Sequence, residues 1–487
     1  MFQNWEFRFK DLGPVKDAAL RLGDLTIITG RNNTGKTYMV YTLYGFLRDF
    51  LELVEKVMDN WGDEGGFFSY GIPLPPGGLV KNLIENGSFE IEFSKEAFDE
   101  DRTQLIRQMC RLYSHDKIDN VFNARAGTFS KAVFDVEEGN RGPDFPPVGF
   151  TVETQVGGDL SIFYNEDRLF FFYEKDKKKE IGVRADGVIQ HFLLQSQIQQ
   201  AYARFLFQDT QNFIRIPSCS TSARLAVSLF YPEIESNRRF TVRQLQQAKG
   251  EHDLSSAEII RRFTSRYALP IDDEIDFVKA IPDFPSEWVS SEKGGAVKDL
   301  EKIVGGSFTK SDDILYFIPS DGNPQGERIP LHLSSSSATE MSRLFFNLVL
   351  NREDESTLFI IDEPESHLDT MNQIQLARTL VRWVNSGMKI LISTHSDYII
   401  KEINNLIMLN GSFDNKEELL RDLGYKEDDS IDPSAIEAYY AKDGGLVPCH
   451  KNAFGIEVPS FEDSIDELVR VSSVLGSRII LESDEDE

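Results

Sequence analysis

Cysteine is scarce in this chain, positive charge is in deficit, and long apolar runs are missing. Cys110, Cys219 and Cys449 are the three cysteines; they lie far apart and form no CxxC pair, so neither a disulfide framework nor a zinc knuckle is encoded. Lys and Arg number 52 against 80 Asp and Glu, a formal net charge of −28. So acidic a surface repels phosphate backbones and disfavours broad, sequence-independent DNA binding unless the basic residues gather on one face. No stretch approaches the roughly 18 apolar residues of a membrane span. The opening MFQNWEFRFKDLG mixes charge with aromatics where a signal peptide needs an apolar segment. The expectation is a cytoplasmic protein in a reducing compartment, without a membrane partner.

What is present is the balance of a globular protein. The chain has 487 residues, enough for roughly two or three domains. Hydrophobic residues at 40% and charged residues at 27% exclude a disordered or fibrous chain. Residues 1–29 alternate in short runs broken at Gly-Pro and Leu-Gly-Asp, and the last run, Leu25 to Thr29, reads as a buried strand. From Tyr38 to Val57 apolar residues recur at helical spacing, with Leu43, Leu47, Phe50, Leu51 and Val54 on one side. Residues 60–200 show Gly-Pro punctuation (PLPPGG, RGPDFPPVG) and β-like runs (FEIEF, LSIFY, LFFFY), with a helix near 96–114. Residues 226–310 hold amphipathic helical pieces without sustained heptads. From Ile314 strand and helix alternate, through ILYFIP, IPLHLS, LFIID, MKILIST and LIMLN, which predicts a mostly parallel sheet. After residue 411 the chain is acidic, with one amphipathic helix near 461–475 and a solvated end, ESDEDE. No internal repeat is seen.

Gly30-Arg31-Asn32-Asn33-Thr34-Gly35-Lys36-Thr37 fits GxxxxGK[ST] directly after the predicted strand and before the predicted helix. Such a loop curls its backbone N–H groups around phosphates at a helix N-terminus. Lys36 would span the β- and γ-phosphates of ATP, and the Thr37 hydroxyl would coordinate Mg²⁺.

Further on, Leu358-Phe359-Ile360-Ile361 delivers Asp362-Glu363 at the carboxyl end of a buried strand, the end at which parallel sheets bind ligands. Asp362 is the candidate holder of Mg²⁺ or its water. Glu363 is the candidate to orient or deprotonate an attacking water. A second strand, Ile390-Leu391-Ile392, ends in Ser393-Thr394-His395. A lone His at such a place is more often structural, but on the strand following the acidic one His395 could reach a γ-phosphate.

In this order, phosphate loop, Ser-rich helix start, Asp-Glu strand, Ser366-His367-Leu368-Asp369 and Ser-Thr-His, the chain resembles the nucleotide-binding domain of ABC-type ATPases, nearest to the OLD-like AAA and SMC-related group. The resemblance covers residues 1–57 and 314–411. It implies an α/β fold: a mostly parallel sheet, an N-terminal antiparallel β portion, and a β-rich plus helical insertion between two halves of an ATPase core. Together with the texture of the chain, the boundaries expected are 1–59 and 314–411 for the core halves, 60–225 for the β-rich insertion and return strand, 226–313 for the helical insertion, and 412–487 for the acidic appendage and disordered tail. By the same resemblance Asp362 and Glu363 are the Walker B pair, Ser366 to Asp369 the D-loop, and His395 the switch histidine.

The family's signature motif falls at Leu333-Ser334-Ser335-Ser336-Ser337, which lacks its glycines. Ser335 and Ser336 are the candidate contacts to a γ-phosphate; the competing reading is an N-capping serine cluster with Glu340 near the first turn. No Q-loop glutamine can be chosen among Gln195, Gln197, Gln199 and Gln200. The resemblance implies a homo-oligomer built on a dimer sandwiching two ATP molecules, with Lys36 and Glu363 of one copy facing the serines of the other. Residues after 411 are short for a built-in nuclease of the OLD type. The expected output is therefore a separately encoded effector, such as a nuclease, restrained or released in antiphage defence on sensing a phage-derived trigger, with the PARIS-type ATPases as the nearest comparison. The alternatives are an SMC-like DNA-repair ATPase, against which the lack of a heptad arm counts, and a nucleotide-gated scaffold. Lys175, Lys177, Lys178, Lys179, Arg261, Arg262 and Arg266 read as solvated faces, and DNA binding stays open.

Overall fold

Near-continuous apolar runs, the pattern of strands buried on both faces, build the sheet that carries the candidate residues. The structure is a computed structural model describing residues 5–60, 83, 85–92, 94–139, 150–154, 158–165, 168–174, 198, 201–202, 205–207, 217–230, 267–281, 295–311, 314–320, 327–350, 357–458 and 469–475. The four glutamines at 195–200, the basic residues at 175–179 and 261–266, PLPPGG, RGPDFPPVG and ESDEDE lie outside the described residues. The chain divides into two units, Met1–Arg21 with Tyr41–Pro217, and Leu22–Val40 with Ser218–Glu487.

The second unit holds a six-stranded sheet in the spatial order Gly445–Pro448, Ile436–Lys442, Leu25–Gly30, Lys389–Thr394, Leu358–Asp362, Ser218–Ser220. Every neighbouring pair is parallel except the first. All six residues of Leu25–Gly30 are buried, as are all but the first residue of Leu358–Asp362 and of Lys389–Thr394. Helices Thr370–Asn385 and Asp397–Met408 follow the acidic and Ser-Thr-His strands. Each starts on a side-chain cap, Asp369 accepting from the Asn372 N–H and Ser396 from the Ile399 N–H. Leu376, Leu380, Trp383, Ile399, Ile403 and Leu406 from these helices join Ile27, Ile361 and Ile392 of the sheet in one core. At roughly 1.5–3 kcal/mol for each large side chain buried, this core fixes the strand ends on which the site depends.

The α/β class, with a largely parallel central sheet and separate antiparallel strands, is as the sequence led us to expect. Several local readings differ. Ile436–Lys442, within the segment expected as an appendage, pairs in parallel with Leu25–Gly30. Its apolar residues, Ile436, Ala438, Tyr440 and Ala441, sit amid acidic sequence that hid them. ILYFIP forms Ile314–Pro319 in a separate antiparallel sheet with Gly306–Ser311 and Ile329–Pro330. The link from Ser311 to Ile314 is too short for the crossover that parallel pairing requires. In IPLHLS only Ile329–Pro330 is strand, followed by a single 3₁₀ turn. LIMLN, expected as a strand, closes the helix Asp397–Met408, because the period begun at Ser396 carries through Leu406 and Ile407.

The first unit joins the hairpin Trp5–Leu12 and Val15–Arg21 to Val133–Glu138. Phe7 and Phe9 pack on Phe134, and Trp5 and Phe46 on Phe50. The buried Tyr113 hydroxyl donates to the Thr42 carbonyl at 2.6 Å. A four-stranded antiparallel sheet orders Ser88–Glu92, Arg168–Glu174, Gly158–Asn165 and Phe150–Thr154. The single helix expected over Tyr38–Val57 is two, Lys36–Arg48 and Phe50–Asn60, parted at Asp49, whose carboxylate takes bonds from Arg48 and Lys117 at 2.9 Å each. Leu51, expected on the apolar face, is exposed, and Leu53 is buried instead. Among the described residues no helix is long and apolar enough to cross a membrane.

Candidate functional site

The loop Gly30–Thr37 leaves the carboxyl end of Leu25–Gly30 and turns into the helix that starts at Lys36. Gly30 adopts φ 145°, Asn33 φ 61° and Gly35 φ 94°. At Gly30 a Cβ would stand 2.6 Å from the Ala441 carbonyl oxygen, so the residue answers both a backbone angle and a close approach. The Thr34 hydroxyl donates to the Arg31 carbonyl at 2.8 Å, tightening the turn. Arg31, Asn32 and Asn33 are exposed.

Lys36 is 6% exposed, and its ammonium donates to the carbonyls of Gly30 and Arg31, each at 2.9 Å. Burial pulls its pKa below the usual lysine value, against the attraction of Glu363, Asp362 and Glu365. An anion on the loop would favour the charged form, so the lysine fits a phosphate. Thr37, next along, sets its hydroxyl 3.4 Å from Asp362 Oδ2.

Asp362 is almost fully buried, and the register of the parallel strands puts Ser393 beside it. The Ser393 hydroxyl donates to Asp362 Oδ1. Burial raises the Asp362 pKa, and the Ser393 bond is the largest influence opposing it. A carboxylate next to the hydroxyls of Thr37, Ser222 and Ser393 is an oxygen donor set suited to a hard cation. Among the described residues no group of three or more His, Cys, Asp or Glu could cage a metal. A Mg²⁺ bound through one carboxylate and substrate phosphates needs no such cage.

Glu363 turns out of the strand at φ 51°, an uncommon conformation for a residue with a side chain. Its N–H donates to the Ser393 carbonyl at 2.9 Å, and its carboxylate lies 3.2 Å from His395 Nε2. The His395 bond, with help from Lys36 and Arg224, lowers the Glu363 pKa and keeps the group anionic. Thus Lys36, Thr37, Asp362, Glu363 and His395 meet at the carboxyl ends of three adjacent strands. Ser335 and Ser336 do not join them. The Ser335 hydroxyl accepts from the Ala338 N–H at 3.2 Å and pairs with Ser337 at 3.1 Å, an N-cap for the helix Ser336–Leu350.

Three further residues were not singled out from sequence, and a fourth, Glu340, was read there only as part of a helix cap. Ser393 was passed over for its neighbour His395. The Glu365 carboxylate accepts from the Thr394 hydroxyl at 2.8 Å and the His395 N–H at 2.6 Å, fixing the start of the turn that carries the histidine. Burial raises the Glu365 pKa. Arg224, fully buried after the edge strand Ser218–Ser220, donates to the carbonyls of Asp362 at 2.8 Å and Glu363 at 2.7 Å. Glu340, also fully buried, lies 2.7 Å from the same guanidinium. A charged residue on the apolar face of a predicted helix is the signal that could have found Glu340.

Residues 241–400 match the AAA ATPase domain family. No curated protein matches the chain. Similar solved structures include an Smc head bound to the C-terminal winged-helix domain of ScpA (11% identity, TM-score 0.32, covering 95% of this chain and 98% of that one). An SMC head domain from Thermotoga maritima also aligns (10% identity, TM-score 0.30, 91% and 98%). A third is an Smc head with an extended coiled coil bound to the C-terminal domain of ScpA, derived from Pyrococcus furiosus (12% identity, TM-score 0.28, 96% and 98%). Likeness at that level carries no argument about function. The domain match, with the phosphate loop on a parallel sheet, supports a P-loop ATPase of AAA type.

Proposed function

We propose that the chain binds and hydrolyses ATP, with Gly30 to Thr37 holding the phosphates, Thr37 and Asp362 holding Mg²⁺, and Glu363 and His395 serving the attack of water. The observation that carries this reading is the meeting of Thr37 with Asp362, and of Glu363 with His395, across strands brought together from distant parts of the chain. Lys36 leaves its loop carbonyls for phosphate oxygens when nucleotide enters. Mg²⁺ bound at Thr37 and Asp362 would supply charge neutralisation on the phosphates. Glu363, held anionic, aligns or deprotonates the water, and His395, steadied by the N–H bond to Glu365, holds the carboxylate in place.

The signature assignment to Ser335 and Ser336 is kept as part of this proposal: an exposed helix start whose serines face a nucleotide on a second copy, giving a dimer with two shared sites. The resemblance to OLD-like ATPases extends the reading to control of a separate effector, such as a nuclease, in antiphage defence. Glu363→Gln is expected to retain ATP with an affinity within about threefold of wild type and to lose turnover by roughly 100-fold or more, the scale of a general base. In the same experiment Lys36→Ala loses binding. Full turnover in Glu363→Gln removes that residue from the chemistry. A dimer stabilised by ATP in Glu363→Gln and abolished in a Ser335→Arg variant would support the sandwich; a monomer throughout would refute it. DNA retardation with a steep salt slope would favour the repair reading instead.

A further inference from the structure

The helix Ser336–Leu350 is amphipathic, but its buried face carries two charges one turn apart, Glu340 and Arg343. Glu340 reaches the short turn Thr221 to Arg224 that follows the edge strand directly, and Arg343 reaches it through Glu274. Glu340 Oε1 lies 2.7 Å from Arg224 Nη2. Arg343 Nε lies 3.4 Å from Glu274 Oε1, and Glu274 in turn accepts from the Thr221 N–H at 3.2 Å and from the Thr221 hydroxyl. The turn is closed on itself, Arg224 Nη1 donating to the Thr221 carbonyl at 2.9 Å. From there the guanidinium grips the carbonyls of Asp362 and Glu363.

Burying such charges is costly unless they hold defined partners, and a guanidinium fork suits several acceptors in one plane. Its acceptors here are the two backbone carbonyls that flank Glu363, a residue at positive φ. The grip is applied where the chain leaves the strand and the Glu363 carboxylate is aimed at His395.

We infer that Arg224 is a positioning residue for Glu363, and that the Glu340–Arg224 pair couples the serine-capped helix to the catalytic carboxylates. The inference rests on the ATPase reading above. A shift at the helix start, where a phosphate would be sensed, moves Glu340; Arg224 follows it and carries the Asp362–Glu363 turn along. Arg343 and Glu274 fasten the other end of the same turn, so the movement is passed on as a unit. The substrate's own contacts with Gly30 to Lys36 stay unchanged, and the effect falls on turnover.

The test uses the full chain at pH 8 with Glu340→Gln, Arg224→Lys and the double variant. Nucleotide affinity is read with a fluorescent ATP analogue and Mg²⁺, turnover by phosphate release, and folding by circular dichroism. Each single variant is expected to lower kcat by roughly 10–100-fold, up to the loss that about 1 Å of displacement of a catalytic group causes, with nucleotide affinity and KM within about twofold. The double variant falls no further than the worse single one, since both break one link. Unchanged kcat in a folded Glu340→Gln protein overturns the inference, as do equal losses of affinity and turnover or losses that multiply. If Arg224→Lys does not fold, Glu340→Gln decides alone. A wild-type protein that neither binds nor hydrolyses ATP sinks both readings; one that hydrolyses at the same rate as Glu340→Gln sinks only the coupling.

Discussion

Ser393→Ala isolates the support of the proposed metal ligand from the ligand itself. Ser393 is fully buried, and its hydroxyl is the strongest hydrogen-bond support of the Asp362 carboxylate, ahead of Ser222, with Thr37 standing off at 3.4 Å. Removing it leaves a carboxylate at 1% exposure short of one partner, while burial continues to favour its neutral form. A hydrogen bond to a charged group contributes about 1.5–3 kcal/mol. Converted to affinity, that is roughly 10–100-fold, the same range found for residues that support metal ligands from behind. The assay is turnover at saturating ATP titrated with Mg²⁺. The half-saturating Mg²⁺ concentration should rise by that factor, while ATP affinity measured without Mg²⁺ is retained. A half-saturation point within twofold of wild type would show that Asp362 does not hold the ion, or that Ser393 does not support it.

Other outcomes follow from the same geometry. Gly30→Ala sets a Cβ 2.6 Å from the Ala441 carbonyl at φ 145°, so ATP binding should be lost while circular dichroism stays close to wild type; retained binding would refute the loop geometry. Burial, outweighing the attraction of Arg224, pushes the Glu340 pKa from 4.5 up to about 7, and Glu274 and Glu363 add repulsion, with His367 3.6 Å away. Because the folded value lies above the unfolded one, the stability this group contributes is complete below about pH 4.5 and lost as pH rises through about 7. Urea midpoints from pH 5 to 8 should show wild type losing up to roughly 3 kcal/mol relative to Glu340→Gln, and parallel curves would contradict this. Arg102 is buried, bonds both Glu138 oxygens at 3.0 and 2.7 Å and stacks on Phe207; Arg102→Met should destabilise its unit by about 3–5 kcal/mol, read by hydrogen exchange.

The parts of the site legible in sequence are those whose chemistry is contiguous. Gly30 to Thr37 needs its glycines, lysine and threonine at fixed offsets, and the Asp-Glu pair ends an unbroken apolar strand, so both could be found by eye. Arg224 could not, and Glu340 shows only as a charge on the apolar face of a helix. Each stands alone in sequence, and their meaning arises only when the edge strand and the serine helix converge on the acidic turn. Strand Ile436–Lys442 was hidden by the acidic residues around it, which dominate composition without saying which side chains face the sheet. Ile314–Pro319 pairs in a separate antiparallel sheet, because an apolar run announces a strand but not its partner. At LIMLN the short apolar run belongs to the helical period that the capping Ser396 sets, ten residues before it.

The strand that leads into the phosphate loop is synthesised near the start of the chain, yet its two sheet neighbours begin at Lys389 and Ile436. During translation Leu25–Gly30 must therefore wait, its edges unpaired, until the segments around Lys389 and Ile436 have left the ribosome. Such distant pairing is slow and exposes sticky intermediates. Fragments released before the Ile436–Lys442 segment is made would present the whole phosphate-binding motif and still be unable to build the cradle around it.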